Sequence, residues 1–329
     1  MIIRTELEEA AAKQLSADFH CSPDDFFKYE NTVTFTDDLR QDERPMWETP
    51  CFFRAATMGM GAVICTCEAI APYAKILAAG KSGADICSAA VASALDRELF
   101  SHGYFIGSLK QYYLPRTPYR PPIVYEGYMI TVFEGEEISE LYRWKGFDNA
   151  LLYRTAGDRY DLTAVCAVNG RRIMGIAGAS RDSSSMAQIG IDVLPEFRGM
   201  GIGRSLVCAC ANEVMRQGYV PYYGTWSGNV ISQRLSLDCC FYPAWTEMSA
   251  VSFKRSRENV KNIPRENISR KTPVSEPPLP RETTPDIGDD GSLPENIRLT
   301  GNDKFGDISP VGTAGQPDIK EHQTEDRKL

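Results

Sequence analysis

The chain has 329 residues, 43% hydrophobic and 10% aromatic, enough apolar matter for one or two cored domains and too much for a wholly disordered polymer. Its 44 acidic residues outnumber 36 basic ones, a net charge of -8 and the reverse of what a duplex nucleic-acid binder needs. The most apolar run, Met58 to Ala79, is broken by Glu68, Tyr73 and Lys75, and the N-terminus carries acids where a signal peptide carries bases, so a cytoplasmic protein without membrane contact is expected.

Glu6 to Asp18 reads as a helix, followed by SPDDFFKY with Ser22 as N-cap and Pro23 at the first helical position. RAATMGMGAVICTC is strand material, and GADICSAAVASALDRELFSHG has the spacing of an amphipathic helix. PRTPYRPP, from Pro115 to Pro122, is a connector that neither a helix nor a central strand accepts. Beyond it, YMITVFEG (128–135) predicts a strand and EEISELYRWKGFDNALLYR a mostly helical stretch. DLTAVCAVNG and RRIMGIAGAS predict a hairpin turning at Asn169-Gly170. MAQIGIDV (186–193) is a strand, GIGRSLVCACANEVMRQG a helix ended by Gly218, VPYYGTW a strand, NVISQRLSLDCC a helix and AWTEMSAVSF a closing strand. From Lys254 on, proline, glycine, asparagine and charges dominate, and a disordered tail, 254–329, is expected. The fold class is α+β, a mixed sheet flanked by helices.

Ten cysteines form no C-x-x-C pair, and His20, His102 and His322 stand near no partner at ligand spacing, so no metal site is expected. The cysteines read as small buried hydrophobes in a reducing compartment.

One segment carries most of the chemistry. A strand ends at Val193, Pro195 stops its ladder, and Arg198-Gly199-Met200-Gly201-Ile202-Gly203 leads directly into a helix. Glycines let the backbone turn tightly against a ligand, and the first N–H groups of a helix lack internal partners. The helix dipole adds partial positive charge, so strand, turn and helix end make an anion site suited to a pyrophosphate. The spacing is neither that of a Walker A loop nor the G-x-G-x-x-G of dinucleotide folds. Along 186–193, Ile189, Ile191 and Val193 share one face and Gln188, Gly190 and Asp192 the other. Gly190 at mid-strand suggests a bulge or a close backbone approach.

Val193-Leu194-Pro195-Glu196-Phe197-Arg198-Gly199-Met200-Gly201-Ile202-Gly203 resembles the V-x-P-x-x-R-G-x-G-I-G signature of the GCN5-related N-acetyltransferases (GNAT). A later family element is partly matched by Asn229, Ser232, Leu235 and Phe241. The resemblance covers roughly residues 126–253. It implies a GNAT-like mixed twisted sheet and divides the chain into three parts: an N-terminal α/β domain (1–125), substrate-side or a degenerate copy of the fold; an acetyl-CoA-binding catalytic domain (126–253); and the tail.

The resemblance further implies that backbone groups of Ile191, Asp192 and Val193 hold the pantetheine arm. Arg198, Gly199, Met200, Gly201, Ile202, Gly203 and Arg204 would hold the pyrophosphate, with Asn229 and Ser232 as further cofactor contacts. An amine acceptor would attack directly. Ser236 stands where many members carry a tyrosine acid, and Cys240 replaces the usual glycine before Phe241. Tyr222, Tyr223 and Tyr242 are nearby phenols that could take the acid's place, with Tyr223 the candidate carried forward, and Asp192 and Glu196 are the carboxylates near the place of a base. The implied activity is acetyl-CoA-dependent N-acetylation of a small amine, amino acid or peptide. A non-catalytic CoA-binding module, and acetylation of a histone-like protein, are the competing readings.

Overall fold

Thr5 and Glu8 cap each other's backbone N–H groups and so start helix α1 (Glu6–Asp18), within the predicted bounds. The computed structural model describes residues 5–36, 43–44, 52–116 and 127–254, all inside one compact unit, Met1–Arg265. Of the expected connector, Pro115 to Pro122, Pro115 is instead the last residue of a strand (Tyr104–Pro115), and its residues 117–122, like the expected tail beyond Lys254, lie outside the described residues.

Ser22 and Pro23 open a short 3-10 turn, Pro23–Phe27, before strand β1 (Thr32–Phe35). The next strand segment is a hairpin, β2 (Phe53–Thr57) and β3 (Ala62–Thr66), buried on both faces, which is why its residues barely alternate. After α2 (Ala71–Ala78), the predicted single helix is two, α3 (Gly83–Ile86) and α4 (Ala89–Leu99). The break falls at Ser88, whose hydroxyl accepts from Val91 N–H at 3.3 Å and starts α4 anew. Strand β4 (Tyr104–Pro115) follows, twelve residues that the pattern did not single out.

After β5 (Met129–Glu134) the predicted helix is only a 3-10 segment, Gly135–Arg143, and the chain then runs irregularly to β6 (Tyr160–Asn169). Side-chain carboxylates take the backbone donors that a helix would have used internally. Asp161 accepts from Leu152 N–H at 2.8 Å and Arg154 N–H at 3.3 Å, and Asp192 accepts from Asn149 and Ala150. Strand β7 (Arg172–Arg181) completes the expected hairpin, with Gly170 at φ +59°. Next come β8 (Met186–Val193), α5 (Ile202–Arg216), β9 (Val220–Trp226), α6 (Val230–Asp238) and β10 (Phe241–Ser252).

Among the described residues the strands form one mixed sheet in the order β1-β3-β2-β10-β4-β9-β8-β7-β6-β5. Only β1–β3 and β8–β9 are parallel. Strand β4, from before the connector, lies between β9 and β10, and β10 also pairs with β2. Neighbouring tyrosines mark the two faces: Tyr113 and Tyr223 join the core under α5, whereas Tyr112 and Tyr222 join Trp245 and Phe19 under α1.

Candidate active site

Strands β8 and β9 pair from Met186↔Val220 to Ile189↔Tyr223 and then part, although β8 runs on to Val193 and β9 to Trp226. The rest of β9 pairs with β4 instead, Tyr223↔Tyr113 to Trp226↔Lys110, which draws it away. Leu194 N–H donates to Met174 O on the β7 side at 3.0 Å, so strand alternation turns the backbone groups of Asp192 toward β7 and those of Ile191 and Val193 into the fork. The carbonyl of Val193 there accepts from Arg198 Nε at 3.0 Å.

The fork runs into the glycine turn. Gly199 and Gly201 stand at φ +80° and +76°, conformations that side chains disfavour. A Cβ at Gly199 would meet nothing within 4 Å, while one at Gly203 would make ordinary contacts of 3.6–3.9 Å with Val193, Leu235 and Ile191. Helix α5 has Gly201 as its N-cap and no side-chain cap, and Ser205 N–H donates to Gly201 O at 3.2 Å. The N–H groups of Ile202, Gly203 and Arg204 are therefore left without intrahelical acceptors at the positive end of the dipole. Met200 is about half exposed beside them.

Asn229 is the N-cap of α6, its side chain accepting from Ser232 N–H at 3.1 Å. Tyr223 is 3% exposed, and burial pushes its phenol up, with the Ser232 side chain pulling the other way. Tyr113, its cross-strand neighbour on β4, is likewise pushed up by burial, with Ser236 pulling the other way. The other two phenols point elsewhere: Tyr222 donates to Asp182 at 2.5 Å on the opposite face, and Tyr242 meets Thr5 at 3.5 Å. Sequence reading missed Tyr113 because it missed β4, although the aromatic stretch ending at Pro115 was a signal for a strand stopped by proline.

The carboxylate of Asp192 is fully engaged, accepting from Asn149 N–H and Nδ2 at 2.7 Å each and from Ala150 N–H at 3.1 Å. It clamps this loop onto the face away from α5, above Gly178 and Gly190. A Cβ on Gly190 would lie 1.9 Å from Asn149 O, and one on Gly178 2.0 Å from Ala150 O. The expected close approach at Gly190 is thus real, but the approaching backbone is the chain's own, and β8 has no bulge there. Glu196, just past β8, is paired with Arg172 at 2.5 Å on the surface.

Residues 124–237 match the family model described as Acetyltransferase (GNAT) family. This segment is a GNAT acetyltransferase domain. Among solved structures, the chain is similar to a GCN5-related N-acetyltransferase from Kribbella flavida, at 17% identity over 48% of this chain and 63% of that one (TM-score 0.37). A GCN5-related N-acetyltransferase-like protein from Streptococcus suis 89/1591 matches at 10% identity over 74% of this chain and 99% of that one (TM-score 0.41). A GCN5-related N-acetyltransferase from Sphaerobacter thermophilus matches at 16% identity over 49% of this chain and 56% of that one (TM-score 0.36). The chain spans less than two thirds of the length of the Kribbella and Sphaerobacter proteins. No curated protein is significantly similar to it. Among the described residues no helix is long and apolar enough to cross a membrane.

Proposed function

We propose that the chain is an acetyl-CoA-dependent N-acetyltransferase that transfers an acetyl group to a primary amine by direct attack. The observation that carries this reading is the open β8–β9 fork running into a glycine turn and an uncapped helix N-terminus. The residues fit such a donor: Ile191 and Val193 offer backbone groups along the fork, and the turn from Arg198 to Arg204 offers N–H groups and two arginines for the pyrophosphate. Acetyl-CoA would supply the activated acyl group and a thiolate leaving group.

The chain's own part is positioning and proton handling. Strand-held N–H groups in the fork are preorganised donors for the charge that develops on an acyl oxygen. Tyr223, kept protonated by its burial, is suited to give a proton to the leaving sulfur and unsuited to act as a base. Asp192 acts through its loop as a positioning residue, and Glu196 is held by Arg172, so we assign loss of the amine proton to water.

Thiol release from acetyl-CoA over a panel of primary amines tests this. Tyr223→Phe is expected to lower kcat about a hundredfold, with KM for acetyl-CoA unchanged. An unchanged kcat removes Tyr223 from the chemistry. Tight acetyl-CoA binding without transfer to any amine favours the competing reading, a CoA-binding module, for which Ser236 in place of a tyrosine speaks.

A further inference from the structure

The face of the fork away from α5 carries a second set of groups. Helices α5 and α6 close the other face, where Gly203 and Leu235 lie against Ile191 and Val193. On this face the Asn149–Ala150 loop covers Gly190 and Asp192 of β8, and beside it stand Gly224 and Trp226 of β9 and Lys110 of β4, which pairs with Trp226 in the β4–β9 register. Trp226 is 53% exposed, so the wide end of the fork is accessible there.

The charges behind this opening are almost all satisfied. Arg44 is paired with Asp18 at 2.5 Å and with Glu247 at 3.0 Å, and Arg159 is paired with Asp182 at 2.5 Å. Lys110 differs. Its cross-strand neighbour Glu247 is already engaged by Arg44 and by Trp245 Nε1 at 2.7 Å. Among the described residues no hydrogen bond or ion pair reaches the Lys110 ammonium, which rests 5.2 Å from the centroid of the Trp226 ring. Burial pushes its pKa down, against the pull of Glu247. A half-buried cation in no direct ion pair is costly, and an arriving anion offsets that cost.

We propose that Lys110 receives a carboxylate on the acceptor, so that the acceptor is an amine that also carries a carboxylate, with its stem against the Trp226 ring. This rests on the acetyltransferase reading above. A single ammonium beside a flat apolar ring matches a monoanion on a hydrocarbon stem better than it matches a phosphate, which attracts several donors.

The test compares 5-aminopentanoate with pentylamine as acceptors for the full chain, Lys110→Met and Lys110→Arg, by thiol release from acetyl-CoA. Binding of 5-aminopentanoate to the CoA-saturated proteins is measured by calorimetry. The parent is expected to prefer the carboxylate at least about tenfold in kcat/KM, chiefly through KM. In Lys110→Met the preference should fall to within about twofold while KM for acetyl-CoA stays put, and Lys110→Arg should keep part of it. Because the methionine removes a buried charge, its Tm should hold or rise, whereas a merely structural lysine would lower it. A parent that acetylates pentylamine as well as 5-aminopentanoate, or a methionine variant that keeps the preference, overturns the inference and leaves the acetyltransferase reading standing. Binding of acetyl-CoA with neither transfer nor carboxylate-dependent calorimetric heat overturns it too. Failure to bind acetyl-CoA overturns both.

Discussion

Replacing Gly199 with glutamate is expected to weaken acetyl-CoA binding at least about a hundredfold while the chain stays folded. A side chain at φ +80° is strained by roughly 1–2 kcal/mol, yet a Cβ there meets nothing within 4 Å, so the fold has room for it. The glutamate would place a carboxylate where the free N–H groups of α5 and the arginines of the turn await an anion. Gly199→Ala carries the same backbone strain without the charge, and separates the two effects. Calorimetric titration with acetyl-CoA should find the alanine variant within about tenfold of the parent and the glutamate variant far weaker. Equal losses in both would mean that the turn's shape, and not its charge, matters; no loss in either would mean that the turn binds no phosphate.

Gly190→Ala is expected to destabilise the fold by about 3 kcal/mol or more, lowering Tm by roughly 6–12 °C for a unit of this size. The obstacle is backbone against backbone. A methyl group there would lie 1.9 Å from Asn149 O, and three hydrogen bonds to Asp192 hold that carbonyl's loop down. Neither side yields by a rotamer change. Gly203→Ala is the contrast, since its methyl makes ordinary contacts and the residue is helical, so Tm should stay within about 2 °C. Thermal unfolding followed by circular dichroism decides it. Similar midpoints for the two variants would show that the loop is not pinned to the sheet.

The stretch from β8 to β10 was legible because its boundaries are punctuated by residues with fixed local preferences: Pro195 ends one strand, Gly218 at φ +83° ends α5, and Asn229 caps α6. Two elements were not legible, for different reasons. Strand β4 is partly buried on both faces over most of its length, so it lacks the alternation that announces a half-buried strand. The segment after Arg143 has helical spacing, but the carboxylates that take its N–H groups are Asp161, at the start of the next strand, and Asp192, on a strand that only the fold brings near. Missing β4 also hid Tyr113 and Lys110. The glycine signal at position 190 was sound in kind, a backbone approach, but nothing local says whose backbone it is.

The placement of β4 has a consequence for the order in which the molecule is made. Its partners β9 and β10 begin more than a hundred residues later, and β2, from the first hairpin, is joined to the rest of the sheet by β10. On a ribosome, β2 and β4 therefore emerge with edges that stay open until Ser252 has left the exit tunnel. Contacts so distant in sequence make folding slow, and unpaired edges invite association with other chains in the interval. Nascent chains halted before β10 should depend on chaperones, and the sheet should close only after release of the last strand.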